Sequence, residues 1–235
     1  MGKPHFTFKQ FSIAQDRCAM KVGTDGVALG AWVPVDGGRR ILDIGTGTGL
    51  IALMLAQRSS PDCQIVAVEL DHDAAGQAAE NVANSKWSQR IQVVESAVQT
   101  LQAEPFDLIV SNPPYFPHGQ SFASPSRQQA RHTSSLSHQE LLEHSIRLLA
   151  PNGKIAFILP VNEAHLMIGQ AERYGLHVEQ LQRLIPRPAM VPNRFLLLLS
   201  RDKCHQVNGD IVVCAENGAY SEAYAGMVRD FYLKL

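Results

Sequence analysis

The chain has 235 residues, 45% of them hydrophobic and 18% charged, and its formal net charge at pH 7 is -1. This composition excludes global disorder, and the near-neutral charge argues against a protein that coats nucleic acid indiscriminately. The first residues lack the apolar stretch of a signal peptide, and no run reaches the roughly 18 apolar residues of a membrane span. We therefore expect a cytoplasmic protein with reduced cysteines, and we take a monomer as the default state.

Short apolar, β-branched runs alternate with helical patterns from Arg40 onward, which is typical of βα units around a mostly parallel sheet. The predicted strands are 41–45, 64–69, 91–95, 106–111, 154–159, 177–185 and 195–200. The predicted helices are 49–57, 74–83, 137–149 and 161–174. A proline-rich segment too short for a helix joins the last two strands, so they should form an antiparallel hairpin.

This pattern predicts an α/β fold with a seven-stranded, mostly parallel sheet that ends in an antiparallel hairpin. The arrangement resembles the class I methyltransferases, which have a Rossmann-like fold. No repeat or low-complexity tract divides the chain, so we expect a single domain over residues 1–235. In it, residues 1–40 would extend toward the substrate and cofactor site. Residues 201–235 would add a further strand, a turn at Asn217 and Gly218, and a last helix.

A glycine-rich turn, DIGTGTG from Asp43 to Gly49, follows the first of these strands and leads into a helix. Its backbone N–H groups favour a bound cofactor, but a dinucleotide site needs GxGxxG and Leu50 occupies the sixth position. The form instead resembles the loop that binds S-adenosylmethionine, the alternative being a purely structural turn. That resemblance assigns the cofactor ammonium to Asp43, partly through water. It assigns the methionine and ribose parts to Gly45, Thr46, Gly47 and Gly49.

The next two strand ends supply the other predicted cofactor contacts. Glu69 ends the second strand, where a carboxylate can accept both ribose hydroxyls. Leu70 could line one adenine face, whereas Asp71 is better explained as the N-cap of the following helix. Residues 95–97 lie where the resembling enzymes contact adenine, and Ser96 is assigned there although the usual aspartate is absent.

The turn SNPPYF, residues 111–116, ends the fourth strand next to the first. It resembles the signature of enzymes that methylate an amino group conjugated to a π-system, the alternative being an ordinary proline-rich turn. In that role the Asn112 side-chain oxygen and the Pro113 carbonyl accept hydrogen bonds from the amino group. Pro114 stiffens the backbone and Tyr115 stacks on the ring. The attack is direct, and the amino proton leaves to solvent.

The segment KVGTDGVALGAW, residues 21–32, makes the resemblance more specific. Together with RQQARHTSSLSHQELL and the closing YSEAY and DFYL, it resembles the bacterial valine-tRNA adenine-N6 methyltransferases. That family modifies the adenosine just 3′ of the anticodon. The resemblance implies S-adenosylmethionine as cofactor, the tRNA anticodon stem-loop as partner, and adenosine 37 as target. It also implies that Lys21, Thr24 and Asp25 close over the cofactor or the base, and Asp25 is predicted to N-cap the helix toward Trp32.

The RNA would be held by phosphate contacts from basic side chains. The candidates are Arg127, Arg131, Arg187 and Arg194. The six-residue spacing of His132, His138 and His144 does not stay on one helix face, so we predict no metal site. Methylation of rRNA guanine N2 or of protein glutamine N5 remains an alternative, as does a non-catalytic RNA-binding module. A dehydrogenase is the least favoured hypothesis.

Overall fold

The computed structural model of the chain describes residues 5–114, 136–203 and 205–235. Its strands are β1 (His5–Thr7), β2 (Ser12–Ala14), β3 (Arg40–Ile44), β4 (Gln64–Glu69), β5 (Ile91–Glu95), β6 (Phe106–Ser111), β7 (Leu149–Pro160), β8 (His177–Ile185), β9 (Arg194–Ser200) and β10 (Val207–Val212). Its helices are α1 (Thr24–Trp32), α2 (Leu50–Arg58), α3 (His72–Ala83), α4 (His138–Leu148), α5 (Val161–Arg173) and α6 (Glu222–Val228).

The large sheet has the strand order β10-β8-β9-β7-β6-β3-β4-β5. Strands β3 to β7 pair in parallel, while β9 is antiparallel to both β7 and β8, so the predicted hairpin is confirmed. The predicted count of seven strands was wrong, because the sheet has eight. The additional strand is β10, the further strand expected in the C-terminal tail, and it pairs in parallel with β8, which satisfies the backbone groups along one side of β8.

Most predicted boundaries agree with the structure within a residue or two, and the main difference is at the start of β7. This strand begins at Leu149, which pairs with Phe106, and the pairing then shifts register before Leu108. The predicted helix over 137–149 correspondingly ends at Leu148. The physical reason is Pro151, because the residue before a proline is driven into an extended conformation, which ends the helix early.

Both faces of the sheet are covered, as a parallel sheet requires. On one face α1 and α2 pack with the N-terminal segment and α6 in one hydrophobic cluster. On the other face α4 and α5 pack in a second cluster. None of the helices in the described ranges combines the length and apolar character needed to cross a membrane.

Candidate active site

The predicted site residues at the ends of β3, β4 and β6 come together at one edge of the large sheet. Strand β3 pairs in parallel with β4 on one side and with β6 on the other, so the carboxyl ends of all three strands lie at the same edge. The chain runs from β3 outward to β5 and then returns to β6, which makes the boundary between β3 and β6 a topological switch point. Open α/β sheets bind their ligands in the crevice at such a point.

The glycine turn between β3 and α2 adopts the backbone that its composition favours. Gly45, Gly47 and Gly49 have positive φ angles of 70°, 56° and 81°. A Cβ atom added at Gly45 or Gly47 would meet nothing within 4 Å, so the space above both residues is open. The Val68 carbonyl accepts hydrogen bonds from the N–H groups of Gly45 and Thr46 and fixes the turn to the end of β4. The turn thus leaves room for a bound group at the start of α2.

Asp43 lies beneath this turn and is completely buried. Its Oδ2 atom accepts hydrogen bonds from Thr46 Oγ1 at 2.6 Å and from the Ala52 N–H at 3.2 Å. Its Oδ1 atom is buried and has no hydrogen-bond partner among the residues that the structure describes. Burial raises the pKa of Asp43 to about 7. An unpartnered carboxylate oxygen fits the ammonium group of S-adenosylmethionine, whereas the Thr46 hydroxyl is used to hold the turn.

Glu69 at the end of β4 lies directly against the glycine turn. Its Oε2 atom accepts the Gly47 N–H at 2.9 Å, and its Oε1 atom accepts the N–H groups of Leu70 and Asp71 at 2.9 and 3.0 Å. Three of the roughly four lone-pair sites of the carboxylate are therefore occupied. The Oε2 atom still has a lone pair that no described residue occupies, so a ribose that binds both oxygens has to displace one of the two N–H donors on Oε1. Asp71 accepts the Ala74 N–H at 2.8 Å, which confirms it as the N-cap of α3.

The predicted adenine contacts flank Glu69. Leu70 is 55% exposed at the end of β4, so its side chain is accessible to a ligand. Ser96 follows β5, where its N–H donates to the Glu69 carbonyl at 2.9 Å and its hydroxyl donates to the Ala97 carbonyl. The backbone of Ser96 thus lies beside the β4 end, and its hydroxyl is engaged locally.

Asn112 follows β6 across the crevice from the glycine turn. The Ser111 hydroxyl donates to the Ile44 carbonyl at 2.8 Å and ties the ends of β6 and β3 together. The Asn112 Nδ2 atom faces α1, where a Cβ atom added at Gly26 would lie 3.8 Å from it. The Asn112 Oδ1 atom is buried and accepts no hydrogen bond from any described residue. A rigid turn therefore holds an unpartnered acceptor where the resemblance predicts the target amino group.

The first turn of α1 differs from its prediction. Asp25 is not the N-cap, because α1 begins at Thr24 and its N-cap is Gly23, which makes no side-chain capping bond. Asp25 lies inside the first turn, and its Oδ2 atom pairs with Arg194 Nε at 2.8 Å. Both side chains of this ion pair are about four-fifths buried, with exposed fractions of 23% and 21%. Lys21 and Thr24 are exposed nearby in the chain.

The predicted contacts with the substrate are only partly covered by the described residues. Tyr115, Arg127, Arg131 and His132 lie outside the described residues. Arg187 is exposed in the loop between β8 and β9, and Arg194 is engaged by Asp25. Within the described ranges, no group of three or more His, Cys, Asp or Glu side chains is arranged to hold a metal ion.

Sequence reasoning missed two buried amides on α3. Asn81 is 4% exposed; its Oδ1 atom accepts the Ala14 N–H, and its Nδ2 atom donates to the carbonyls of Ala14 and Thr48. Gln77 is 1% exposed and accepts the Arg17 N–H at 3.0 Å. These bonds hold residues 14–22, here termed the N-terminal strap, across α3 and against the glycine turn. Gln77 and Asn81 are four residues apart and lie on the helix face that carries the buried alanines. This spacing was the sequence signal that could have predicted their burial.

Two comparisons with solved structures establish the fold. A predicted O-methyltransferase from Agrobacterium tumefaciens superimposes with a TM-score of 0.68 at 19% identity, covering 88% of this chain and 96% of that one. A methyltransferase from Pyrococcus furiosus has a TM-score of 0.56 at 21% identity, covering 78% of this chain and 89% of that one. At these identities the similarity confirms the predicted class I methyltransferase fold and nothing finer.

Sequence comparison identifies the family. Residues 28–171 match the model of the methyltransferase small domain. A protein from Aeromonas hydrophila is 54% identical over 232 residues, which cover 98% of each chain. A protein from Tolumonas auensis is 48% identical over 235 residues, covering 100% of this chain and 99% of the relative. Both relatives carry the name tRNA1(Val) (adenine(37)-N6)-methyltransferase, and this chain belongs to that family.

Proposed function

We propose that this protein transfers a methyl group from S-adenosylmethionine to N6 of adenosine 37 in tRNA1(Val), the reaction for which its relatives are named. The observation that carries the proposal is the Oδ1 atom of Asn112, which is buried at the sheet edge next to the glycine turn and has no partner among the described residues. A buried acceptor without a donor costs free energy unless a ligand supplies the donor. An exocyclic amino group is such a donor.

The residues around the glycine turn fit the cofactor. The Asp43 Oδ1 atom, which has no partner in the described part of the chain, would receive its ammonium group. The open space above Gly45 and Gly47 would receive its methionine and ribose parts. Glu69 would accept the ribose hydroxyls after one of the two N–H donors on its Oε1 atom has been displaced, and Leu70 would cover one adenine face. When bound, S-adenosylmethionine supplies an electrophilic methyl group on a positively charged sulfur.

The Asn-Pro-Pro turn would orient the target. The amino nitrogen of adenine is a poor nucleophile because its lone pair is delocalised into the ring. Two hydrogen bonds, to the Asn112 Oδ1 atom and the Pro113 carbonyl, would turn the lone pair out of that conjugation and aim it at the methyl group. Because the two prolines restrict the backbone, these acceptors are positioned before the substrate arrives. The amino proton then passes to solvent, and Tyr115 would stack on the ring.

The proposal is tested by methyl transfer to tRNA. Purified protein and S-adenosylmethionine with a labelled methyl group are incubated with tRNA from a strain that lacks the corresponding gene, and the nucleosides are separated. We expect label in N6-methyladenosine at position 37 of tRNA1(Val). Asn112→Ala should abolish transfer while cofactor binding persists. Asn84→Ala removes an exposed amide at the end of α3 and should transfer normally.

Other outcomes would replace the proposal. If tRNA receives no label, and rRNA guanine or protein glutamine receives it when offered as acceptor instead, the activity belongs to another amino-group substrate. Unchanged transfer by Asn112→Ala would show that the amide does not orient the acceptor. Preferential binding of a nicotinamide dinucleotide would overturn the cofactor assignment itself.

A further inference from the structure

The loop between β8 and β9, residues 186–193, borders the candidate active site. Strand β8 is antiparallel to β9, and β9 is antiparallel to β7, so β8 ends at the same edge as the parallel strands. Arg194, the first residue of β9, pairs with Asp25 of α1. The next residue of α1, Gly26, faces the Asn112 amide. A continuous chain of contacts thus joins the base of this loop to Asn112.

The tip of the loop carries two consecutive exposed apolar side chains. Met190 is 52% exposed and Val191 is 78% exposed. Arg187 precedes them and is exposed as well. Single exposed apolar residues are common on protein surfaces, but an adjacent pair beside a substrate site and next to a cation is the composition of a contact surface. A nucleic acid, which has anionic phosphates and flat apolar base faces, matches this combination.

The backbone of the tip is stiff. The Met190 N–H donates to the Arg187 carbonyl at 3.2 Å, and Ala189 between them has a positive φ of 61°. With Pro188 in the preceding position, this is the arrangement of a type II turn, in which glycine is usual where Ala189 stands. A non-glycine residue in the left-handed region is strained, and such strain clusters at functional sites. The turn therefore fixes the backbone at Met190, and Val191 follows it directly.

We propose that Met190 and Val191 form a wedge that enters the anticodon loop beside the target adenosine and fills the space it leaves on turning into the active site, with Arg187 against the neighbouring phosphates. This inference rests on the proposed function. An adenine stacked in a loop has to leave the stack to reach a buried acceptor such as Asn112. Apolar side chains inserted between base steps are a known means of holding such an opening.

The test uses the full-length double variant Met190→Ser/Val191→Ser. The tRNA carries 2-aminopurine at the target position, because its fluorescence rises when the base leaves the stack. We expect the wild type to raise the fluorescence and the double variant to lose most of that rise per bound RNA. On natural tRNA the variant's kcat/KM should fall about tenfold or more, as expected when the apolar contact of a buried methionine or valine side chain is lost. The KM for S-adenosylmethionine and the melting temperature should not change, because both side chains are exposed.

Val207→Ser is the matched control. Val207 is 60% exposed at the start of β10 and pairs with Gln180 in the first half of β8. It thus lies away from the end of β8 that leads into the loop, so this variant should behave as the wild type. If the fluorescence rises as much with the double variant as with the wild type, the wedge is overturned. It is also overturned if Val207→Ser loses as much of the rise as the double variant does. If the wild type methylates tRNA and the double variant does so equally well, only the wedge fails. If the wild type transfers no methyl group to tRNA adenosine, the proposed function fails and the wedge with it.

Discussion

At the scale of single residues, Asp43 is the most unusual group in the candidate site. It is completely buried, one of its oxygens has no partner among the described residues, and burial raises its pKa to about 7 from a usual value of 3.8. Its hydrogen bonds from Thr46 and Ala52 favour the charged form but do not offset the desolvation. A cationic ligand would supply the missing compensation.

This raised pKa predicts how stability depends on pH without cofactor. In the unfolded chain Asp43 ionises near 3.8, whereas in the folded protein it keeps its proton until about 7. Between these values the folded state binds more protons, so this group makes stability fall as pH rises. Urea unfolding at about pH 5 and about pH 7.5 should show that fall, reduced in Asp43→Asn. An equal fall in this variant would contradict the assignment.

Glu69 is the second residue whose role can be tested singly. Glu69→Ala removes a strand-end carboxylate that faces the glycine turn, so we expect cofactor affinity to fall about tenfold to a hundredfold, as for loss of charged hydrogen bonds. Calorimetric titration with S-adenosylmethionine measures this. Glu104→Ala, at an exposed position before β6, serves as the control. Unchanged affinity in Glu69→Ala would defeat the ribose assignment.

At the scale of elements, helix α3 organises the cofactor site through its buried face. Asn81 binds the N-terminal strap through Ala14 and the glycine turn through the Thr48 carbonyl, with bonds of 2.8 to 2.9 Å. The strap is further held by Gln77 and by the ion pair between Arg17 and Glu80. The strap leads directly into α1. The Asn81 amide therefore connects the strap, the glycine turn and, through the strap, helix α1.

We therefore predict that Asn81→Ala lowers both stability and cofactor affinity. Loss of these hydrogen bonds leaves the half-buried backbone groups of Ala14 and the buried Thr48 carbonyl unsatisfied, which should cost about 1–3 kcal/mol. The matched control is Asn84→Ala, at the exposed C-cap of the same helix. Urea unfolding and calorimetric titration measure the two effects. A variant that unfolds and binds like the control would show that the strap is held by other contacts.

At the scale of the whole molecule, the two terminal segments pack together. Phe8 forms a β-bridge with Tyr232, and the Lys9 N–H donates to the Phe231 carbonyl at 2.8 Å. The Phe8 ring lies 4.7 Å from Phe11 and 5.8 Å from Tyr232 between centroids. Phe8 and Phe231 belong to the same hydrophobic cluster as α1 and α2. Residues from both ends of the chain thereby cover one face of the sheet.

Phe8→Ala should therefore destabilise the protein globally. Phe8 is 2% exposed, and truncating a buried phenylalanine typically costs about 3–5 kcal/mol. Guanidinium unfolding monitored by fluorescence and by circular dichroism should show one shifted transition in both signals. Leu233→Ala, at a side chain 58% exposed, should leave the midpoint in place. A separate early transition in Phe8→Ala would mean that the terminal segments unfold independently of the sheet.

The glycine turn, the strand ends and the cap at Asp71 were predictable from the sequence because they depend on neighbouring residues. Period-two and helical patterns mark the elements, and positive φ at the glycines follows from their own chemistry. Ser137 and Glu140 likewise form a capping box between residues three positions apart. The family resemblance also had to rest on such local motifs.

Contacts between distant residues were decided by the tertiary structure. Asp25 and Arg194 are 169 positions apart, and no local pattern indicates that they pair instead of capping a helix and contacting RNA. Asn81 is a similar case, because an amide on a helix holds the strap only when folding brings Ala14 beside it. The same is true of β10, a short apolar run that joins the sheet only when folding brings β8 beside it. Local chemistry specifies which conformations a segment favours, but long-range pairing depends on the packing of the whole chain.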